Sequence, residues 1–302
     1  MKKDKNWDGQ TKANPLGIRI FMFLISNVGV IPAYILLFFI SGYYTFFKNW
    51  HHKKVLKAYR SKLGLKTNIF HVYKHNFSFG LNMIDRFAHI AGKKSPFDFL
   101  CIGEENFRDA LAKNKGLILL SAHIGNQEIA GDVLSEHISF TKINFLMLDN
   151  ESKEIKKIFS RVSNNRQVNI IPTNSDGMDM MIKVKKALDN NEIVCMLGDR
   201  VMGAEPHIEL EFLGKMAKFP TSPFNVAAIT GSPIITAATI KTGVYKYTQK
   251  VYNFISFEKI PRSMRQEHIK NSMKTYVSIL EDMVKNNPYS WFNFYDYWEE
   301  IS

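Results

Sequence analysis

Polar and apolar positions alternate along this chain with three textures. Residues 20–47, "IFMFLISNVGVIPAYILLFFISGYYTFF", carry no charged side chain over 28 positions, more than the ~20 apolar residues that cross a bilayer. The run predicts an N-terminal membrane-anchoring helix. Asn27, Gly29 and Pro32 interrupt its first third, so the anchor is either one bent helix or a re-entrant, interfacial pair of helices. A buried core helix is the competing reading, disfavoured because so long an apolar run rarely fits inside a small domain. The run is too long for a cleaved signal, and no small-residue cleavage pattern follows it.

Residues 53–92 have helical spacing, with Ile69, Val72, Phe77, Phe79, Leu81 and Ile84 among scattered bases. From "KKSPFDF" onward, short apolar runs alternate with amphipathic ones. "GLILLSA" (116–122), "INFLMLD" (143–149), "VNIIP" (168–172), "EIVCMLGD" (192–199) and "PIITAATI" (233–240) predict buried strands. "SKEIKKIFSRVSNN" and "DGMDMMIKVKKALDNN" between them predict helices. Strand and helix in alternation imply an α/β domain, a mostly parallel central sheet flanked by helices. No repeat or low-complexity linker divides it. The expected organisation is therefore a basic arm and anchor over 1–50 and one domain over 51–302.

Charge narrows the partners. The formal net charge is +12, which suits nucleic acid, an anionic membrane surface or an acidic protein. Lys2, Lys3, Lys5, Lys12 and Arg19 precede the apolar run, and the heavier cluster Lys48, Lys53, Lys54, Lys57, Arg60, Lys62 and Lys66 follows it. That asymmetry places the following domain on the cytoplasmic side of an inner membrane. Cys101 and Cys195 sit in separate apolar runs and read as reduced core residues. The terminal aromatics of "WFNFYDYW" are not interleaved with Lys or Arg, which argues against a nucleic-acid reader. Trp291, Phe292, Phe294 and Tyr295 are expected to pack on the core or at a membrane interface, with Asn293 and Asp296 anchoring the segment near the site.

Candidate chemistry starts in "GLILLSAHIGNQEIAG". In an open α/β sheet the ligand crevice lies beyond the carboxyl ends of the strands, and His123 directly follows an apolar run. On an unbroken helix, positions five apart face away from one another. Gly125 permits a turn, after which Asn126 would cap a helix and bring Glu128 to one imidazole nitrogen. A carboxylate behind the ring fixes the tautomer and leaves the other nitrogen as a general base. On spacing alone a capping or core role competes with catalysis. The spacing matches no zinc motif, so no metal is expected.

The segment "AHIGNQE" has the H-x4-D/E form of glycerolipid acyltransferases. With "MLGDRVMG", "FLGKMAKFPTSPF", "NPYSWFNFYDYW" and the opening "NWDGQTKANPLGIRIF", it resembles the bacterial lipid A biosynthesis (lauroyl/myristoyl) acyltransferases. The nearest resemblance is to a lysophospholipid acyltransferase-like subgroup of polyene-pigment lipid pathways. Two departures stand out: Arg200 where the family often has Gln, and Ser222 where the subgroup commonly has Gly.

The resemblance implies transfer of a fatty acyl chain from acyl carrier protein, or less readily coenzyme A, to a hydroxyl of a lysophospholipid or lipid A-like glycolipid. It implies no cofactor, and as partners the carrier protein, the acceptor lipid and a membrane surface, with no nucleic acid. His123 would be the general base and Glu128 its orienting acid. Backbone N–H groups near Gly125 and Asn126 would hold the oxyanion. Arg200 would contact a substrate phosphate or carbonyl, or else pair with Asp199 or Glu205. Asp199 would belong to the substrate-binding groups and orient Arg200 or its loop, Gly203 and Gly214 shape turns, and Phe212, Phe219, Pro220 and Pro223 line or close an acyl channel or simply pack. A catalytically inactive homologue acting as a lipid- or carrier-binding membrane scaffold is the alternative.

Overall fold

The computed structural model describes residues 15–47, 50–90, 97–127, 129, 141–147, 168–173, 177–201, 203, 205–258 and 260–298. Seven strands form the central sheet: β1 (Asp98–Ile102), β2 (Leu117–Ser121), β3 (Ile143–Met147), β4 (Val168–Pro172), β5 (Ile193–Leu197), β8 (Ile234–Lys241) and β9 (Lys246–Val251). Their order is β1-β9-β8-β2-β5-β3-β4. Every neighbouring pair is parallel except β8 and β9, which form an antiparallel hairpin. The expected α/β class and mostly parallel sheet are therefore what the chain adopts, and all five predicted strands lie in it. The predicted helix over "SKEIKKIFSRVSNN" falls outside the described residues.

Both sheet faces are covered, and β2 shows why its sequence is apolar throughout. Successive strand residues point to opposite faces. Ile118 and Leu120 join the core formed with α6 (Gly177–Asp189), α7 (Ser222–Thr230) and α8 (Arg265–Asn286), whereas Leu117 and Leu119 join the core with Phe107 and Ala110 of α5 (Glu104–Leu111). A strand buried on both sides has no polar face to display. A separate two-stranded hairpin, β6 (His207–Phe212) and β7 (Lys215–Pro220), packs beside α8.

The N-terminal apolar run is two helices, α1 (Pro15–Asn27) and α2 (Val30–Phe47). They part at Gly29, whose φ of +110° suits a residue without a Cβ. Helix α2 is long and apolar enough to cross a membrane by length and composition, yet one side of it is docked. Val30, Ala33, Tyr34 and Leu37 pack with Ile84, Phe87 and Ala88 of α4 (Ile69–Ile90), and with Phe97 and Tyr247 of the sheet region. The described part of residues 1–50 thus shares a core with the domain that follows. A buried polar knot pins the junction: Asp85 of α4 accepts hydrogen bonds from the Tyr34 and Tyr247 hydroxyls and from Lys241. Such a pair is tolerable inside protein because every carboxylate oxygen has a donor. The opposite side of α2 presents Ile31, Ile35, Phe38, Phe39, Phe46 and Phe47 to the surroundings.

Candidate functional site

Strands β2 and β5 lie side by side in parallel register, with Ser121 opposite Leu197. Two residues beyond each of those strand ends stand His123 and Asp199. The shared offset brings them together at the sheet's carboxyl rim. His123 Nδ1 lies 2.7 Å from Asp199 Oδ1, and the His123 backbone N–H donates to Asp199 Oδ2 at 3.0 Å. Since an ionised carboxylate only accepts, Nδ1 carries a proton, and in the neutral ring Nε2 is then the nitrogen with the lone pair. Among the described residues Nε2 has no hydrogen-bond partner. The His123 side chain is 29% exposed and that of Asp199 1%, so the base faces the rim and its carboxylate lies behind it.

Electrostatics hold Asp199 ionised. Burial alone would raise its pKa, but His123, its hydrogen bonds and the charge of Arg200 outweigh that and bring it well below the usual carboxylate range. A hydrogen bond from the Trp291 indole N–H reaches Oδ2 at 3.1 Å, and the Tyr297 hydroxyl donates to the Asp199 carbonyl at 2.7 Å. Tyr276 secures the end of β2, donating to Ser121 O at 2.8 Å.

The carboxyl at Nδ1 therefore differs from the expected one. Glu128 lies outside the described residues, and the group behind the ring is Asp199, 76 residues downstream of His123. Asp199 was expected to touch substrate or orient a loop; being fully buried behind the imidazole, it has no face for substrate.

The turn after β2 also departs from expectation. Each amide from His123 to Asn126 already has an acceptor: Asp199 Oδ2, Ala122 O, Ser290 O and Thr239 O respectively. The N–H groups of Gly125 and Asn126 are thus not oxyanion donors in this arrangement. Asn126 is buried, and its Nδ2 donates to Asn82 O at 2.9 Å, tying the turn to α4. Gly125 has φ +67°, and a Cβ there would stand 2.1 Å from Thr239 O. Gly125→Ala is expected to destabilise the protein by about 3 kcal/mol, combining left-handed strain with a backbone clash. Chemical denaturation of the variant against wild type measures this directly.

Other expected site residues sit elsewhere. Phe212 is fully buried among Phe219, Trp291 and Tyr297, and so fills the core instead of lining an acyl channel. Phe219, Pro220 and Pro223 are buried as well. Gly214 follows Leu213 at the tip of the β6–β7 hairpin, both with positive φ, a tight-turn role. Gly203 adopts φ +56° in its turn. Arg200 stays at the rim: its Nη2 donates to Phe292 O at 2.8 Å and its guanidinium lies 5.4 Å from the Tyr295 ring centre.

No alternative nucleophile stands beside His123 among the described residues. The Ser121 hydroxyl is buried and donates to Ala237 O. Cys195 is buried, and burial pushes its thiol up to about 12. No group of three or more metal-ligating side chains occurs among the described residues.

The sequence profile of the bacterial lipid A biosynthesis acyltransferases matches residues 71–300. Phosphatidylinositol mannoside acyltransferases from two strains of Mycobacterium tuberculosis are 23% identical over 137 residues, covering 44% of this chain and 41% of theirs. The match therefore spans less than half of those relatives' length. A solved 1-acyl-sn-glycerophosphate acyltransferase from Thermotoga maritima aligns with 88% of this chain and 95% of its own, at 12% identity and a TM-score of 0.37.

Proposed function

From the premise that this chain belongs to the bacterial lipid A biosynthesis acyltransferase family and is an acyltransferase, we propose that it moves a fatty acyl chain from a carrier thioester to a lipid hydroxyl. The observation that carries the mechanism is the Asp199–His123 pair with Nε2 open at the sheet rim. Nε2 accepts the proton of the acceptor hydroxyl as its oxygen attacks the thioester carbonyl. Collapse of the tetrahedral adduct breaks the C–S bond, and the imidazolium returns the proton to the leaving thiolate. One ester and one thiol result, with no acyl-enzyme. Asp199 stabilises the imidazolium in between. Glu128, the acid of the H-x4-D/E segment, stays in the proposal as a second carboxyl acting on the same imidazole. Arg200 offers charge at the rim for a phosphate or the thioester oxygen.

The acceptor is a lysophospholipid or a lipid A-like glycolipid; relatives named for acylating a phosphatidylinositol mannoside favour a glycolipid. The donor is acyl carrier protein, with coenzyme A second. The net charge of +12 suits both an acidic carrier and an anionic bilayer. The apolar side of α2, with Phe23 of α1 and Phe70 of α4 also exposed, would lie in the inner membrane's cytoplasmic interface. Purified protein, anionic vesicles, radiolabelled acyl carrier protein and candidate acceptors form the test. Labelled lipid and co-sedimentation with vesicles are expected. Consumption of the thioester without any acylated lipid, or protein left in the supernatant, would reject the transfer or the membrane half respectively.

A further inference from the structure

The carboxy-terminal aromatic segment reaches the candidate site from 92 residues beyond Asp199. Its main chain is stitched to the loop that bears His123. Ser290 O accepts from the Gly125 N–H at 2.8 Å, the Phe292 N–H donates to His123 O at 2.7 Å, and Phe292 O accepts from Arg200. Between those ties, Trp291 turns its indole inward.

The two oxygens of Asp199 have separate duties. Oδ1 meets His123 Nδ1, whereas Oδ2 is shared by the His123 backbone N–H and Trp291 Nε1. We propose that Trp291 is a positioning residue of the reaction: its indole N–H holds Oδ2 so that Oδ1 stays aimed at the imidazole. This inference rests on the general-base reading of His123. A carboxylate held by one donor on that side can rotate about its χ2, and each rotation loosens the bond that fixes the base.

The indole itself has no freedom. Trp291 is fully buried, and Tyr59, Phe212, Tyr297 and Trp298 meet its ring edge-on with centroids 5.1, 5.5, 5.1 and 6.2 Å away. Its carbonyl accepts a hydrogen bond from His75 Nε2 at 2.9 Å, and His75 Nδ1 lies 3.1 Å from His52 Nε2. Burial lowers the His75 pKa to about 4, so the ring is neutral near pH 7, with its single proton on the nitrogen facing Trp291. Helices α4 and α3 (Trp50–Lys62) thereby fix the height at which the indole meets Asp199.

Trp291→Phe, and a variant with 3-benzothienyl-alanine at 291 that keeps the bicyclic shape without the N–H, test the proposal in the acyl-transfer assay. Each is expected to lower kcat about tenfold, the scale of one lost hydrogen bond to a charged group, with acceptor KM unchanged. A loosened Oδ1–Nδ1 contact steadies the imidazolium less, so the acid limb of the pH–rate profile should move to lower pH. In an Asp199→Asn background Trp291→Phe should cost nothing further, because the two act through one contact. An equal loss in both backgrounds, or a lowered melting temperature with unchanged kcat and pH profile in the benzothienyl variant, would overturn the assignment. His123→Ala in the same assay separates the two levels. An inactive His123→Ala with additive Trp291 effects sinks this inference alone, whereas an active His123→Ala sinks the general-base reading and this inference with it.

Discussion

His123→Ala protein is expected to fold normally and to lose about 10³-fold or more in acyl transfer. A positioned general base contributes typically 10²–10⁴-fold, and His123 is the only side chain the described rim offers with an unengaged basic nitrogen beside a buried carboxylate. Folding should survive, because the ring is partly exposed and its main-chain ties, from its N–H to Asp199 and from Phe292 to its carbonyl, do not need the side chain. Removing the ring does leave Asp199 Oδ1 without its donor, at a cost of about 1–3 kcal/mol, visible as a modest fall in denaturation midpoint. The decisive readout is turnover at saturating thioester: wild-type kcat in purified His123→Ala would end the general-base assignment.

Asp199→Asn should be nearly as damaging, for a reason specific to this geometry. Oδ2 receives two N–H donors, from His123 and Trp291. An amide must turn its oxygen to those donors, which points its NH2 at Nδ1. The imidazole can then only accept at Nδ1 and must carry its proton on Nε2, the wrong tautomer for a base. A loss of about 10³-fold in kcat with little change in KM is expected. The pH dependence follows from the depressed pKa of Asp199, which keeps it ionised throughout any practical assay, so the acid limb of the wild-type profile records the imidazole. For stability the sign runs the same way. Asp199 is ionised at lower pH in the folded protein than in the unfolded chain, so its contribution is complete above the unfolded value of about 3.9 and drains away as pH falls below it. Urea midpoints of wild type and Asp199→Asn should therefore converge towards pH 3. A gap that stays constant down to that pH would deny Asp199 its ionised, hydrogen-bonded state.

Much of the frame was legible in residue order alone. An apolar run that stops at Ser121 announces a buried strand, and the rule that ligand sites lie past strand ends then points to His123. Asn27, Gly29 and Pro32 signalled an interruption, either a bend or a break; the chain breaks at Gly29, and Pro32 lies in the first turn of α2. The hairpin β6–β7 was not anticipated, since its turn is Leu213-Gly214 and not one of the Asn-Gly or Asp-Gly pairs that signal such turns. Asp199 was picked out, but for another task. Its partnership with His123 had one available signal: the equal offset of the two residues from the ends of "LILLS" and "IVCML", which means something only once those strands are known to be paired in register.

Sequence by itself determined the α/β alternation, the uncharged N-terminal run and the placing of a histidine at a strand's end, because each follows from periodicity and turn chemistry within a few residues. Only the tertiary structure decided that Asp199 backs the imidazole, that the amides of Gly125 and Asn126 are already bonded, that Phe212 lies in the core, and that Trp291 returns to the site. The physical reason is that neighbouring strands and their register are set by packing between distant segments, while local patterning specifies only which face of each element is apolar.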